Sequence, residues 1–194
     1  MHYILYSIFY IPYSIKRGFT ILEVIVAIFV LTVAVGGSFV LIQQTLIAAS
    51  LAQSKLAAHY LAQEGIEIVR NIRDTNWLKQ RSDELNFFWD TDIIPLELPL
   101  GESRDCIADY NDDGLSDFVE EKPLNLDDNG FYSYAYGDPT PFERKITITK
   151  LDLLETSYPD DYKLRVRVRV EWSERGRDHW VEASEDLYNW GGYY

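Results

Sequence analysis

The sequence predicts an α+β fold, in which one long N-terminal helix is packed on a C-terminal antiparallel β-sheet. Three observations support this prediction. No Asp, Glu, Lys or Arg occurs between Glu23 and Lys55. Apolar residues then recur at helical spacing as far as Ile72, and after Gly130 the apolar period changes to two. The chain therefore contains an apolar helical half, an amphipathic helical half and a set of alternating strands, in that order.

The apolar half of the helix is predicted to cross a membrane. Residues 24–42 contain no charge and no proline, and they are close to the ~20 residues that span a bilayer. Lys16 and Arg17 stand on the N-terminal side, and the positive-inside rule places that end in the cytoplasm. We therefore predict a single-pass membrane protein, with residues 19–47 in the transmembrane helix and residues 48–194 in an extracytoplasmic head.

One acid stands at the start of this apolar run. A carboxylate inside the hydrocarbon region costs roughly 2.5 to 3.5 kcal/mol on insertion scales, so Glu23 is expected to have a cation beside it. An amine and a carboxylate attract each other strongly at low dielectric and offset each other's loss of solvation. The alternative is that Glu23 is an interfacial carboxylate just outside the bilayer, in an ordinary signal anchor.

The residues around Glu23 resemble the prepilin signature, in which a basic residue and Gly precede Phe, followed by Thr, two aliphatic residues and Glu. The matching run reads Lys16-Arg17-Gly18-Phe19-Thr20-Ile21-Leu22-Glu23. The resemblance implies that prepilin peptidase removes residues 1–18 as a leader and that Phe19 becomes the N-methylated first residue. It also implies that Glu23 is the assembly glutamate, which pairs with the α-amino group of a neighbouring subunit. Residues 1–15 depart from the usual polar, basic leader because they are rich in Tyr, Ile and Phe.

The second half of the helix is predicted to be amphipathic. Its apolar or small stripe consists of Leu51, Ala58, Ala62, Gly65, Val69 and Ile72, and its polar face carries Gln53, Lys55, Gln63, Glu64, Glu67 and Arg70. No proline occurs from Phe19 to Asp74, so one helix can contain both halves. Residues 61–74 also resemble a phrase that recurs in minor pilins and type II secretion pseudopilins. The Gly36–Gly37 pair is either a local weak point or an ordinary feature of membrane helices, in which glycine is common.

Residues 75–128 are predicted to form loops and short elements, because prolines interrupt them. Within this region, residues 109–120 match the calcium-loop pattern, with oxygen ligands at positions 1, 3, 5, 7, 9 and 12 and Gly114 at position 6. The predicted calcium ligands are Asp109, Asn111, Asp113, the backbone carbonyl of Leu115, Asp117 and Glu120. The alternative is an acidic, solvated turn rich in Asp, Asn and Gly.

Residues 130–183 are predicted to form the antiparallel sheet. The alternation indicates strands at 131–136, 144–149 and 164–172, then a turn at 173–177 and a returning strand at 179–183. The aliphatic side chains of the third strand share one face, which the amphipathic half of the helix can cover. Arg165, Arg167 and Arg169 lie on the other face. We interpret them as a solvated face paired with neighbouring acids, and the alternative is a contact for anions or DNA.

The composition excludes several functions. A net charge of −13 argues against a general nucleic-acid binder, because phosphate neutralisation needs clustered Lys and Arg. The single cysteine, Cys106, cannot form an internal disulfide, and the three histidines do not have zinc-ligand spacing. The sequence also lacks a Gly-rich phosphate loop and an obvious catalytic dyad. We therefore do not predict an enzyme.

Together these features predict a structural subunit, a minor pilin or pseudopilin of a type IV pilus or a type II secretion filament. The expected partners are prepilin peptidase, other pilin or pseudopilin subunits, the inner-membrane assembly machinery and, before assembly, membrane lipid. After assembly the subunit is expected in a cell-surface or periplasmic filament. The alternative function is a membrane-anchored, calcium-dependent module for surface binding or adhesion.

Overall fold

The structure is a computed structural model, and it describes residues 18–82, 88–95, 98–120, 122–153 and 162–189. Lys16, Arg17 and the rest of the predicted leader up to residue 17 lie outside the described residues. The chain divides into two compact units, Met1–Ala48 and Ala49–Tyr194.

Helix α1 spans Ile21–Arg81 and contributes residues to both units. In the first unit its apolar side chains are all exposed. By length and composition, α1 is apolar enough to cross a membrane. The helix continues without a break through Gly36 and Gly37, and the Ser38 hydroxyl donates a hydrogen bond to the Ala34 carbonyl at 2.9 Å.

In the second unit α1 buries one side and exposes the other, as its amphipathic pattern predicts. The buried positions recur at three- and four-residue spacing, which places them along one side of a helix. They are Ala58, Leu61, Ala62, Gly65, Ile66, Ile68, Val69, Ile72, Arg73, Asn76 and Trp77.

The helix ends at Arg81 and not near Asp74, so the start of the region predicted to be loops is helical. Tertiary contacts account for the extension. The Trp77 side chain is only 6% exposed and belongs to the hydrophobic core. The Asn76 amide donates a hydrogen bond to the Thr91 carbonyl at 2.6 Å. These contacts stabilise a last helical segment that the local apolar pattern does not reveal.

Seven described strands form one antiparallel sheet: β1 Ser103–Ile107, β2 Ser116–Asp117, β3 Pro123–Leu126, β4 Tyr132–Ser133, β5 Asp138–Asp152, β6 Tyr162–Glu174 and β7 Arg177–Tyr188. Strands β5, β6 and β7 pair consecutively. Strand β5 also pairs with β1 and β3, which in turn pair with β2 and β4. The long helix and the antiparallel sheet confirm the predicted α+β fold.

The strand limits differ from those predicted. The first predicted strand, 131–136, is reduced to Tyr132–Ser133, because the chain bends over residues 134–137. Gly137 has φ +116°, and a Cβ atom there would lie 2.3 Å from the Leu126 carbonyl oxygen, so this bend requires glycine. Strands β5, β6 and β7 are all longer than predicted, and β1, β2 and β3 lie within the region predicted as loops and short elements.

The buried face of the sheet is covered by the amphipathic half of α1. Val166, Val168 and Val170 of β6 are fully buried in the core that also contains the buried stripe of α1. A Cβ atom on Gly65 would lie 2.8 Å from Cγ1 of Val168, which is closer than real Cβ contacts. Glycine at this position therefore allows the helix and sheet backbones to approach each other.

The opposite face of the sheet is polar, and its arginines are paired. Arg165 donates hydrogen bonds from Nε and Nη2 to Asp186 at 2.8 and 3.0 Å. Arg167 pairs with Glu182 at 3.3 Å, and Arg169 pairs with its strand neighbour Glu171 at 2.6 Å. These ion pairs agree with the interpretation of the arginines as a solvated face paired with acids.

We predict that Gly65→Ala destabilises the head, because the added methyl group must displace Val168. Overpacking of this kind typically costs about 1–3 kcal/mol. Urea unfolding of residues 48–194 should show a lower midpoint for the variant. Gln63→Ala, at an exposed position of the same helix, is the matched control and should unfold close to the wild type. Equal midpoints for all three proteins would contradict the close contact.

A second prediction concerns pH. The hydrogen bond from Arg165 lowers the pKa of Asp186 to about 2, against the opposing effect of burial. Because this pKa is below that of the unfolded chain, the pair stabilises the head above about pH 4, and the stabilisation is lost as pH falls towards 2. Asp186→Asn should therefore lower the free energy of unfolding by about 1 kcal/mol at pH 7.

Urea titrations at several pH values test this dependence, and the difference from the wild type should shrink between about pH 4 and pH 2. Asp178→Asn changes an exposed acid of the same strand and serves as the control. A stability difference for Asp186→Asn that stays constant at every pH would show that the pair contributes nothing through its charge.

Candidate functional site

The predicted cleavage bond lies in exposed, non-helical backbone. Gly18, Phe19 and Thr20 precede α1, and all three are exposed. The Phe19 side chain is 82% exposed. The peptide bond between Gly18 and Phe19 is thus outside the hydrogen-bonded helix.

Glu23 lies in the first turn of α1, and its backbone is held by a residue that the sequence analysis did not single out. The Glu23 N–H donates a hydrogen bond to the Thr20 hydroxyl at 3.3 Å. Thr20 is therefore the N-cap of α1, a position at which Thr accepts from a first-turn N–H. The Thr-x-x-Glu pattern of a capping box was the sequence signal for this arrangement.

The second candidate region is the acidic loop at residues 109–120. Its first predicted ligand, Asp109, accepts a hydrogen bond from the Tyr134 N–H at 2.9 Å and donates one from its own N–H to Asp112 at 2.8 Å. Burial raises the pKa of Asp109, although the hydrogen bond from Tyr134 acts in the opposite direction. Asn111, Asp113 and Glu120 are exposed.

A cation of the protein itself binds two of the other predicted ligands. The Arg104 guanidinium donates to Asp117 at 2.8 Å, to the Leu115 carbonyl at 3.1 Å and to the Ile93 carbonyl at 3.1 Å. Arg104 lies on β1, outside the loop, so the local calcium pattern gave no sign of it. It joins residues 93, 115 and 117 through one side chain.

The four predicted carboxylate ligands, Asp109, Asp113, Asp117 and Glu120, do not supply a cluster of three acids. Within the part of the chain that the structure describes, no three side chains of Asp, Glu, His or Cys lie close enough together to hold a metal ion. Calcium binding stays a prediction, and in the predicted register the ion shares Leu115 and Asp117 with the positively charged Arg104, which opposes its binding.

The start of the loop is also anchored to a buried arginine. Arg144 is 1% exposed, donates to the Ala108 carbonyl at 2.7 Å and pairs with Glu64 of α1 at 3.4 Å. Burial raises the pKa of Glu64, and Arg144 partly offsets this rise. The Tyr134 hydroxyl donates to the Arg144 carbonyl at 2.6 Å. Nothing in the alternation of this strand predicts the cluster, because a charged side chain is not expected on the buried face of a strand.

Calcium should raise the melting temperature of residues 48–194 if the predicted loop binds it. The expected stabilisation is about 2.7 kcal/mol at a calcium concentration about 100 times the dissociation constant. The double variant Asp109→Ala with Glu120→Ala lacks positions 1 and 12 and should lose the effect.

Arg104→Gln makes this test more sensitive, because it removes the positive charge beside Leu115 and Asp117. The variant should show a larger calcium-dependent rise in melting temperature than the wild type. Magnesium at the same concentration controls for a general effect of divalent ions. If calcium leaves the melting temperature of both the wild type and Arg104→Gln unchanged, the calcium prediction is wrong. The alternative function as a calcium-dependent binding module then loses its basis.

The arrangement of α1 and the sheet defines a class of protein. An apolar helix of membrane length continues into an amphipathic half that packs under an antiparallel sheet, which is the architecture of pilin-like proteins. Residues 14–39 match the family model described as the prokaryotic N-terminal methylation motif, and the match includes Gly18, Phe19 and Glu23. The chain thus has a pilin-like architecture and carries the prokaryotic N-terminal methylation motif. Neither the curated proteins nor the solved structures gave a significant match.

The motif has consequences for processing, partners and location. It implies processing by prepilin peptidase and assembly with other pilin subunits. It also indicates a structural subunit. The long apolar helix fits a membrane-anchored pilin.

Proposed function

We propose that this protein is a minor pilin or pseudopilin, cleaved between Gly18 and Phe19 and built into a filament through α1. The supporting observation is the match of residues 14–39 to the methylation motif, at the start of a helix long and apolar enough to cross a membrane. The filament is a type IV pilus or a type II secretion filament.

Processing requires access to one peptide bond. Peptidases bind their substrates in extended backbone, and the exposed, non-helical segment at residues 18–20 meets this requirement. Hydrolysis leaves a carboxylate on Gly18 and an α-amino group on Phe19, and methylation then takes place on that amine. The leader departs, while the apolar helix remains with the head as its membrane anchor.

Assembly pairs the new amine with a carboxylate. In a filament interior the Glu23 carboxylate is away from water, where an uncompensated charge is costly. The amine of Phe19 on a neighbouring subunit supplies the opposite charge. Such a contact is heterologous, because residue 19 of one copy meets residue 23 of another, so it propagates along a filament and does not close into a pair.

The apolar side chains of α1 supply the remaining contact. Those of residues 21–47 are exposed in the single chain, where a membrane lipid environment suits them. Extraction into water would cost about 25 cal/mol of free energy for each Å² of apolar surface exposed. We therefore expect α1 to leave the membrane only as helices of other subunits replace the lipid. We accordingly propose two states, a membrane-bound subunit before assembly and a filament subunit afterwards, with the head on the extracytoplasmic side.

Glu23→Ala should leave membrane insertion and leader removal intact but lower incorporation into filaments at least tenfold, since loss of one partner of a buried ion pair typically costs about 3–5 kcal/mol. The measurement is the fraction of the subunit in sheared filaments relative to the membrane fraction. Glu23→Gln keeps the size of the side chain and should show the same loss. Incorporation of both variants at the wild-type level would exclude the proposed assembly.

Two further variants complete this experiment. Gly18→Ala should leave the leader attached, which mass spectrometry of the N-terminus will show directly. Glu102→Ala removes an exposed acid in the head and should be processed and incorporated normally. A normally trimmed Gly18→Ala protein would place the cleavage site elsewhere.

A further inference from the structure

The β6–β7 hairpin lies along α1, and its turn is at the end of the head where α1 enters. The Ser50 hydroxyl donates a hydrogen bond to Glu174, the last residue of β6, at 2.6 Å. Towards the other end of the hairpin, the Trp77 indole N–H donates to Asn189 at 3.2 Å. Ser50 lies three residues beyond Ile47, where the predicted transmembrane helix ends, which corresponds to about 4.5 Å of helix rise. The turn is therefore held close to the point where the chain leaves the predicted membrane segment.

This turn carries two exposed arginines, one of them in a strained backbone. Arg175 and Arg177 flank Gly176, and all three residues are exposed. Arg175 has φ +55° and Gly176 has φ +73°, so both are in the left-handed region. Glycine and asparagine are the usual residues at such positions of a hairpin turn, and arginine there costs free energy. A strained residue in an exposed turn points to a role for its side chain.

The two turn arginines lack the acidic partners that other arginines of the sheet have. Each of the three β6 arginines on the polar face pairs with a carboxylate. No carboxylate oxygen of a described residue lies within 4.0 Å of a side-chain nitrogen of Arg175 or Arg177. Lys55, which is exposed on α1 one helical turn beyond Ser50, adds a third positive charge. This corner of the head therefore presents cations to its surroundings.

The acidic β3–β4 turn lies at the same end of the sheet, but β5 separates it from the arginines. Asp127 and Asp128 belong to this turn, and Leu126 before them pairs with Asp138, the first residue of β5. Strands β6 and β7 lie on the other side of β5. Asp178, which follows Arg177, is an exposed acid of the basic turn itself. An anionic surface thus attracts the corner beside α1 and repels the corner at β3–β4.

We infer that the turn of the β6–β7 hairpin binds the phosphates of anionic lipid headgroups at the extracytoplasmic surface of the membrane, through Arg175 and Arg177. A guanidinium group binds phosphate oxygens through several N–H donors at once. Each basic residue beside an anionic lipid surface adds to the attraction. The inference rests on the membrane-bound state of the proposed function. The contact orients the head before assembly, and it is lost when the subunit leaves the membrane.

Fluorescence quenching tests this contact in the full-length chain, reconstituted at one copy per lipid nanodisc. A dye on Ser173→Cys reports on the turn. Ser173 is exposed, while Cys106 is buried and burial raises the pKa of its thiol to about 12, so the introduced thiol reacts selectively. The quencher is a nitroxide on the headgroup of a minor lipid. Quenching should be about twofold stronger in discs with about 30% phosphatidylglycerol than in phosphatidylcholine discs, and high salt should remove the difference.

The double variant Arg175→Asn with Arg177→Gln should reduce quenching in the anionic discs to the level in the neutral discs. Each lost arginine should lower the ratio of bound to free turns about fivefold. Asparagine suits the left-handed backbone, so thermal melting of the double variant should show no loss of stability. Arg81→Gln removes an exposed arginine from the last turn of α1 and is the matched control. It should be quenched as the wild type is.

The possible outcomes separate this inference from the proposed function. If the wild type and the double variant are quenched equally in anionic discs, the inference is wrong. If the arginines affect quenching only when several copies share a disc, they bind acids of a neighbouring subunit, and the lipid contact is excluded. A full-length chain that does not insert into the disc would overturn the proposed function and this inference together. An inserted chain whose turn stays away from the headgroups would overturn this inference alone.

Discussion

The contact between the buried stripe of α1 and the aliphatic face of the sheet is the interaction on which the head depends. Each surface is apolar, and neither can remain stable in water without the other. Gly65 sets the separation, because its missing side chain leaves room for Val168. The same helix continues as the apolar segment of the first unit, so one element provides both part of the core of the head and a segment long and apolar enough to cross a membrane.

Two arginines connect the irregular segments to this core. Arg144 lies inside the core and binds the Ala108 carbonyl and Glu64, while Arg104 binds two backbone carbonyls and Asp117. A guanidinium group has five donors in a planar arrangement, so one side chain can bind oxygens from several segments. Both residues serve an acidic loop whose own charges repel one another. The head thus uses internal cations to hold a chain segment that has few apolar residues of its own.

The apolar periodicity was sufficient to predict the fold, because the burial patterns of a helix and of a sheet have different periods. The periodicity could not predict the ends of helices and strands that are determined by tertiary contacts. The burial of Trp77 in the core stabilises the last segment of α1. The bend before β5 depends on the close approach of Gly137 to the Leu126 carbonyl. The calcium pattern is a local rule and carries no information about Arg104, which comes from another strand. Thr20 differs from these cases, since its capping pattern with Glu23 is visible in the sequence.

The contacts between α1 and the β6–β7 hairpin have a consequence for the order in which the head forms. Glu174 accepts a hydrogen bond from the Ser50 hydroxyl at 2.6 Å, and Arg70 of α1 pairs with Glu185 of β7. These contacts join residues far apart in the sequence, and such long-range contacts are slow to form. A ribosome releases the helix first and the hairpin last. The apolar stripe of α1 therefore remains uncovered until the β6–β7 hairpin has been synthesised, and the head closes only when nearly all of its residues are available.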